Sequence, residues 1–259
     1  MSASKPALLL EHHLKALRLP TMLREYGKLA EVCRQERADY QTYLLRLAER
    51  ELSDREVRSA ERRVKAARFP VLKTLDSFDF SAQPSINREL VRGEYVEKRE
   101  NVLLCGNSGT GKTHLATALA HAACQQGRRV RFYTCTGLVT DLLEKREERQ
   151  MERVLGQLER HQLLVLDELG YVPFTKAGAE LLFEVVSRAY ERVSLIVTTN
   201  LPFEQWTEVM GSERLTGALL DRLTHHIHIL EANGESYRLK ESRGKVAKGV
   251  SGRRAKESS

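Results

Sequence analysis

The chain has 259 residues, 41% of them hydrophobic and 30% charged, and a net charge of +7. That is enough for one large domain or a domain with a smaller companion, and enough apolar material for a packed core rather than a disordered chain. No run approaches the roughly eighteen apolar residues of a membrane span. The first segment, broken by Glu11, His12 and His13, lacks the cleavage pattern of a secretory leader, so a cytoplasmic protein with no membrane contact is expected. Cys33, Cys105, Cys124 and Cys135 show no paired metal spacing and are expected as reduced thiols.

The charge is unevenly placed. Residues 1–75 hold 16 basic against 10 acidic side chains, residues 236–259 hold 8 against 2, and the stretch between holds 18 against 23. Two basic flanks around a mildly acidic centre point to a polyanionic partner, nucleic acid first. Solvated helix faces and a basic tail are the plainer explanation of the same pattern.

In chain order, residues 7 to about 67 have helical periodicity. Leu14, Leu17 and Leu19 lead to Pro20, after which Leu23, Tyr26, Leu29 and Cys33 recur at helical spacing. Tyr40, Tyr43, Leu44 and Leu47 do the same after Asp39. A further helix is expected to start at Ser53, with Glu56 three residues on in a capping-box spacing. Residues 1–69 therefore form a small all-helical domain. "FPVLKTLDSFDFSAQPS", with Pro70 and Pro84, predicts an extended linker, and residues 70–100 a linker plus an entry helix.

Beyond it, short apolar runs alternate with helical stretches: "NVLLCG" (101–106), "RVRFYTC" (129–135), "LLVLDEL" (163–169), "SLIVTTN" (194–200) and "HIHIL" (226–230). Continuous apolar runs separated by helices predict five parallel strands covered on both faces, a doubly wound α/β sheet. That domain spans 101–240, and the Gly/Ser/Lys-rich residues 241–259 predict a basic disordered tail.

The chemistry sits at strand ends, where ligands of such sheets bind. Gly106, Asn107, Ser108, Gly109, Thr110, Gly111, Lys112 and Thr113 match G-x-x-x-x-G-K-[ST] in full between a strand and a helix. Glycines let backbone N–H groups turn onto phosphates, the lysine reaches the β- and γ-phosphates, and the threonine hydroxyl ligates Mg²⁺. Asp167, at the end of an apolar strand, is placed to share that metal, and Glu168 beside it to orient an attacking water. The predicted cofactors are ATP and Mg²⁺. Asn200 ends the next strand, where a polar side chain can contact the γ-phosphate or merely terminate the strand before Pro202. Arg214 and Arg222 lie on a helix before the last strand, placed either for a finger acting on a neighbouring subunit or for a surface salt bridge. His225, His226 and His228 lack a companion carboxylate or cysteine cluster, and on a strand only His226 and His228 would share a face, so no metal site is expected there.

The order of these motifs resembles the AAA+ ATPases of the initiator group, which includes the DnaA and DnaC proteins. More narrowly, "LRLPTM", "AARFPVLKTLDSFDF", "NVLLCGNSGTGKTHLA" and "LLVLDELGYVPF" resemble the IstB-like transposition helper ATPases of bacterial insertion sequences, over nearly all of residues 8–240. The resemblance implies an AAA+ P-loop fold and an ATP-hydrolysing protein that oligomerises on duplex DNA, largely without sequence preference, with ATP at subunit interfaces and a transposase as partner. It implies a sensor role for Asn200, a trans finger in Arg222 and a second sensor in Arg238. The helical lid of general AAA+ proteins has no room after the last strand, so it is expected to be largely absent, with nucleotide enclosed by the adjacent protomer. Arg58, Arg62, Arg63 and Lys65 of the N-terminal helices are the leading candidates for DNA contact. Lys145, Arg149 and Arg153 follow, in an insertion (136–160) where initiator-group proteins carry a helix used on DNA. Two rival functions share the loop: a DnaC-like helicase loader and a P-loop kinase of small molecules.

Overall fold

Residues 5–78, 80 and 88–232 are described by the computed structural model. They fall into two units, Met1–Arg62 and Arg63–Ser259.

Helices α1 (Lys5–Ala16) and α2 (Pro20–Gln35) and most of α3 (Tyr40–Ala67) build the first unit. Pro20 opens α2, where its fixed φ suits a first turn and its missing N–H costs nothing. Leu19 before it offers no side-chain cap. The cap comes from α3 instead: Glu51, 3% exposed, accepts the Thr21 and Met22 N–H groups through Oε2 at 2.8 and 3.0 Å. Its Oε1 accepts Arg55 at 3.4 Å and Arg58 at 3.2 Å. One buried carboxylate thereby satisfies two orphan donors of a neighbouring helix and joins two guanidinium groups.

The expected helix start at Ser53 is overturned. Asp39 Oδ1 accepts the Thr42 N–H at 2.7 Å, and α3 then runs unbroken for 28 residues. No glycine or proline interrupts residues 40–67, so Ser53 is an ordinary mid-helix residue.

The second unit is a five-stranded parallel sheet in the order β2-β3-β4-β1-β5. Its strands are β1 (Asn101–Gly106), β2 (Val130–Thr134), β3 (Leu163–Leu169), β4 (Ser194–Thr199) and β5 (Ile227–Ala232). All five expected strands are present. The last begins one residue later than expected, which leaves His226 outside it.

Alternation along each strand separates two apolar layers. Leu103, Leu164, Leu166, Leu195 and Val197 pack with α7 (Cys135–Glu147), α8 (Met151–Leu158), α9 (Lys176–Ala189) and α11 (Glu213–Thr224). Val102, Leu104, Leu163, Val165 and Ile196 pack with α6 (Lys112–Gln125) and with Leu90, Tyr95 and Val96, the last three on the short helices α4 (Arg88–Arg92) and α5 (Glu94–Lys98). Every residue of the central β4 is buried, at about 1.5–3 kcal/mol for each large aliphatic side chain. Residues 136–160 form most of α7 and all of α8, whose Leu142, Leu155 and Leu158 belong to the first layer. Helix α10 (Trp206–Met210) adds the fully buried Trp206.

The segment expected as extended linker is anchored along its described part. Phe69 meets Phe132 of β2 edge-on at 6.2 Å, and Leu75–Ser77 forms a 3-10 turn with a capping box between Thr74 and Ser77. Ser77 Oγ lies 3.1 Å from His114 Nε2, and the Phe78 ring lies against the His114 ring at 5.4 Å. Arg238, the 241–259 tail and the stretch assigned to a missing lid lie outside the described residues. Among the described residues no helix is long and apolar enough to cross a membrane.

Candidate nucleotide site

β1 delivers the glycine-rich loop to the carboxyl edge of the sheet. Gly106 has φ +136°, and a Cβ there would stand 2.3 Å from the Ala232 carbonyl oxygen of β5, so no larger residue fits. Gly109 and Gly111 also have positive φ. Gly111 leads into α6 without any side-chain cap, which leaves the first-turn N–H groups of α6 for another acceptor. Lys112 Nζ donates to the Gly106 and Asn107 carbonyls at 2.7 and 2.6 Å, and Thr110 Oγ1 donates to the same Asn107 carbonyl at 2.8 Å. The result is a loop that gathers the uncapped first-turn N–H groups of α6 and one ammonium group. It fits a polyphosphate.

The carboxylates come from β3. Asp167 is 3% exposed, and its Oδ1 accepts Thr113 Oγ1 at 3.1 Å and Thr198 Oγ1 at 2.5 Å. Burial pushes its carboxyl above the usual range, while the hydrogen bonds from Thr198 and Thr113 and the charge on Lys112 act in the opposite sense. A hydroxyl and a carboxylate converging on one point are hard oxygen donors of the kind Mg²⁺ takes.

Glu168 is exposed and has φ +61°, a left-handed conformation rare for a glutamate in a strand. The pairing explains it. Leu166 stands opposite Val197 and Leu169 opposite Thr199, so Asp167 and Glu168 together face the single residue Thr198. This is a β-bulge. It turns two successive residues, which a regular strand would send to opposite faces, into one buried and one projecting carboxylate.

Asn200 is exposed directly after β4, one residue beyond Thr199, which pairs with Cys105 of β1 and Leu169 of β3. It therefore stands at the same edge as the loop and the carboxylates. An open cleft adjoins the loop, walled by Phe78, Leu104, Leu115 and Leu230. Sequence reasoning missed both Phe78 and Thr198. The signals were present as an aromatic in "LDSF" and as the two threonines that follow the aliphatic run Leu195–Val197.

A profile of the IstB-like ATP binding protein family matches residues 12–245. The chain belongs to that family. It is 41% identical over 238 residues to the insertion sequence IS21 ATP-binding protein of Pseudomonas aeruginosa, covering 90% of each chain. It is 37% identical to the IS5376 ATP-binding protein of Geobacillus stearothermophilus, covering 88% of this chain and 92% of that one. In fold it is similar to AMPPCP-bound DnaA from Aquifex aeolicus, with a TM-score of 0.52 at 21% identity over 68% of this chain and 55% of that one. It is also similar to DnaI, with a TM-score of 0.51 at 17% identity over 63% of this chain and 89% of that one. The second unit has the AAA+ P-loop fold.

The remaining candidates of this IstB-like chain lie elsewhere. Arg222 places its guanidinium over the Phe183 ring of α9 at 4.7 Å and donates to the Ala218 carbonyl at 2.9 Å, so it is engaged on the α9–α11 surface. Arg214 is exposed on α11. Arg58 is tied to Thr21 and Glu51 inside the first unit, and Arg63 donates to the Cys124 carbonyl at the end of α6 at 2.7 Å. Arg62 and Lys65 are exposed. Lys145 pairs with Glu148 at 2.6 Å, while Arg149 and Arg153 are exposed between and on α7 and α8. His228 bonds Glu100 at 2.8 Å and His225 bonds Tyr190 at 3.2 Å. The three buried cysteines and Cys105 are free thiols.

Proposed function

We propose that this protein is an ATPase that assembles on duplex DNA with ATP between its copies and delivers that DNA to a transposase. The observation that carries the hydrolytic part is the bulge at Asp167–Glu168, which holds one carboxylate buried against Thr113 and leaves the next residue exposed near the end of the same strand. Lys112 and the N–H groups of the loop hold the phosphates, and the Phe78 ring beside the loop offers an aromatic surface for the adenine base. Thr113 and Asp167 hold Mg²⁺, which supplies charge neutralisation on the phosphate oxygens. Glu168 orients and deprotonates the water, and Asn200 contacts the phosphate or that water. Arg222 acts on a neighbouring copy's nucleotide, for which it must leave the Phe183 ring.

Support for the transposition setting comes from the relatives, which are named as insertion-sequence ATP-binding proteins. The basic N-terminal residues support DNA binding, through phosphate contacts that tolerate any sequence.

The test is Glu168→Gln. Loss of a general base slows turnover by about 10²–10⁴-fold, whereas ATP affinity should stay within a factor of three, measured as phosphate release beside equilibrium binding of a fluorescent ATP. A variant that turns over ATP at the wild-type rate contradicts the reading. Turnover that needs a small-molecule acceptor and ignores DNA would favour a kinase. Co-purification with a replicative helicase and indifference to duplex DNA would favour a loader.

A further inference from the structure

Among the described residues, Thr198 is the buried polar side chain that touches both halves of the bulge. It is 1% exposed in the middle of the sheet, in a strand where every other position up to Val197 except Ser194 is aliphatic. Its hydroxyl has a single proton, donated to Asp167 Oδ1 at 2.5 Å. Its lone pairs accept the N–H of Glu168 at 2.9 Å. The direction of both bonds is fixed, because a backbone N–H only donates and the carboxylate oxygen accepts.

The bulge makes this bond pattern necessary. With two residues of β3 facing one of β4, the ladder has no regular carbonyl for the extra N–H of Glu168. A buried N–H left without an acceptor is costly, and so is a left-handed glutamate. The Thr198 hydroxyl takes the place of the missing ladder acceptor, and its proton then holds the Asp167 side chain in the rotamer that meets Thr113. Neighbouring Thr199 has a different task. Its hydroxyl donates to the Leu169 carbonyl and accepts the Leu201 N–H, closing the same end of the strand pair one step later.

We propose that Thr198 is the positioning residue of the ATPase site: through one hydroxyl it fixes where Asp167 stands for Mg²⁺ and how far the Glu168 carboxylate projects from the bulge. This rests on the hydrolytic reading above. Thr198 touches no nucleotide atom in this scheme, so its effect must pass entirely through the two carboxylates. The division of labour is testable because the methyl and the hydroxyl can be removed separately. Thr198→Val keeps the shape and removes both hydrogen bonds. Thr198→Ser keeps both bonds and removes the methyl.

The experiment measures three quantities for wild type and both variants: turnover at saturating ATP, affinity for a fluorescent ATP analogue in EDTA, and the factor by which Mg²⁺ raises that affinity. For Thr198→Val, a displaced metal ligand and base should slow turnover by about 100-fold. Its affinity in EDTA should stay within a factor of two, because the loop and Lys112 are untouched, and the gain from Mg²⁺ should shrink at least threefold. Thr198→Ser should stay within threefold of wild type in all three. Wild-type turnover in Thr198→Val overturns the proposal. So does a serine variant as slow as the valine variant, which would make Thr198 a packing residue. Should Thr198→Val fail to fold, Thr198→Ala takes its place, with the same loss expected and the same wild-type turnover overturning the proposal. A wild-type protein without any ATP turnover would sink the hydrolytic reading instead, and the metal-dependent affinities would still decide the role of Thr198.

Discussion

The two units of the chain are held together by different physics. The AAA+ unit buries whole strands: β4 has no exposed residue, and two apolar layers sandwich the sheet. The N-terminal unit buries few large side chains, chiefly Leu14, Cys33 and Leu47, while Leu8, Leu9, Leu17, Leu44 and Leu45 remain more than half exposed. It relies instead on the buried Glu51, which caps α2 and gathers Arg55 and Arg58. The difference teaches that basic residues in the first unit are not one class. Some are tied to the buried Glu51, and others lie exposed without such a tie.

The same contrast appears in how carboxylates are used. Glu51 and Asp167 are both 3% exposed, yet Glu51 meets backbone N–H groups and arginines, and Asp167 meets two hydroxyls. Glu51 has the partners of a structural fastener. Asp167 has the partners of a ligand to a hard cation, with burial pushing its proton affinity up.

Three perturbations break or sharpen this comparison. The largest effect is expected from Lys112→Ala. It removes a charged donor from the phosphate cradle and should weaken ATP binding by about 100-fold or more, since hydrogen bonds to charged groups contribute about 1.5–3 kcal/mol each. The melting of the first unit should not change, and titration of a fluorescent ATP beside a thermal scan reads both.

Glu51→Ala should do the reverse. Loss of the cap on α2 costs about 2 kcal/mol, at the upper end of measured caps because two donors are orphaned. Helical signal should be lost earlier in a urea titration, with ATP affinity unaltered. Equal losses in both units would show that they do not melt separately.

The smallest and most discriminating effect concerns DNA. Arg62→Ala and Lys65→Ala, which remove exposed charges, should each lower the log–log salt slope of duplex binding by about 0.9. Arg58→Ala should leave that slope alone and instead lower the melting midpoint, because its guanidinium bonds Thr21 and Glu51. A slope that falls with Arg58 and not with Arg62 or Lys65 would reverse the assignment.

Much of the AAA+ unit was legible in the sequence, and the reasons are specific. Five continuous apolar runs became five parallel strands because a strand covered on both faces needs no polar alternation. The Gly106–Thr113 loop was readable because the specified positions of its motif have steric or donor requirements, of which Gly106 against Ala232 is the tightest. What stayed hidden depends on contacts between distant segments. A bulge is a mismatch between β3 and β4, so neither strand alone announces it, and Thr198 looks like any β-branched strand residue. Glu51 looks like one more surface charge on a polar helix until α2 is placed beside it. Ser53 misled for a related reason: its capping-box spacing is a local signal, and the continuous helix under it is stabilised from outside. Phe78 sat in a segment whose prolines suggested only a linker, while its ring forms a wall of the cleft beside the loop.

The central claim is that bound ATP joins copies of this chain on double-stranded DNA. It is tested most directly by sedimentation velocity of Glu168→Gln with ATP, Mg²⁺ and a duplex of mixed sequence. The account predicts a large complex that forms only when nucleotide and duplex are both present and dissolves when ATP is withdrawn. A single slow species of monomer mass under those conditions would contradict it.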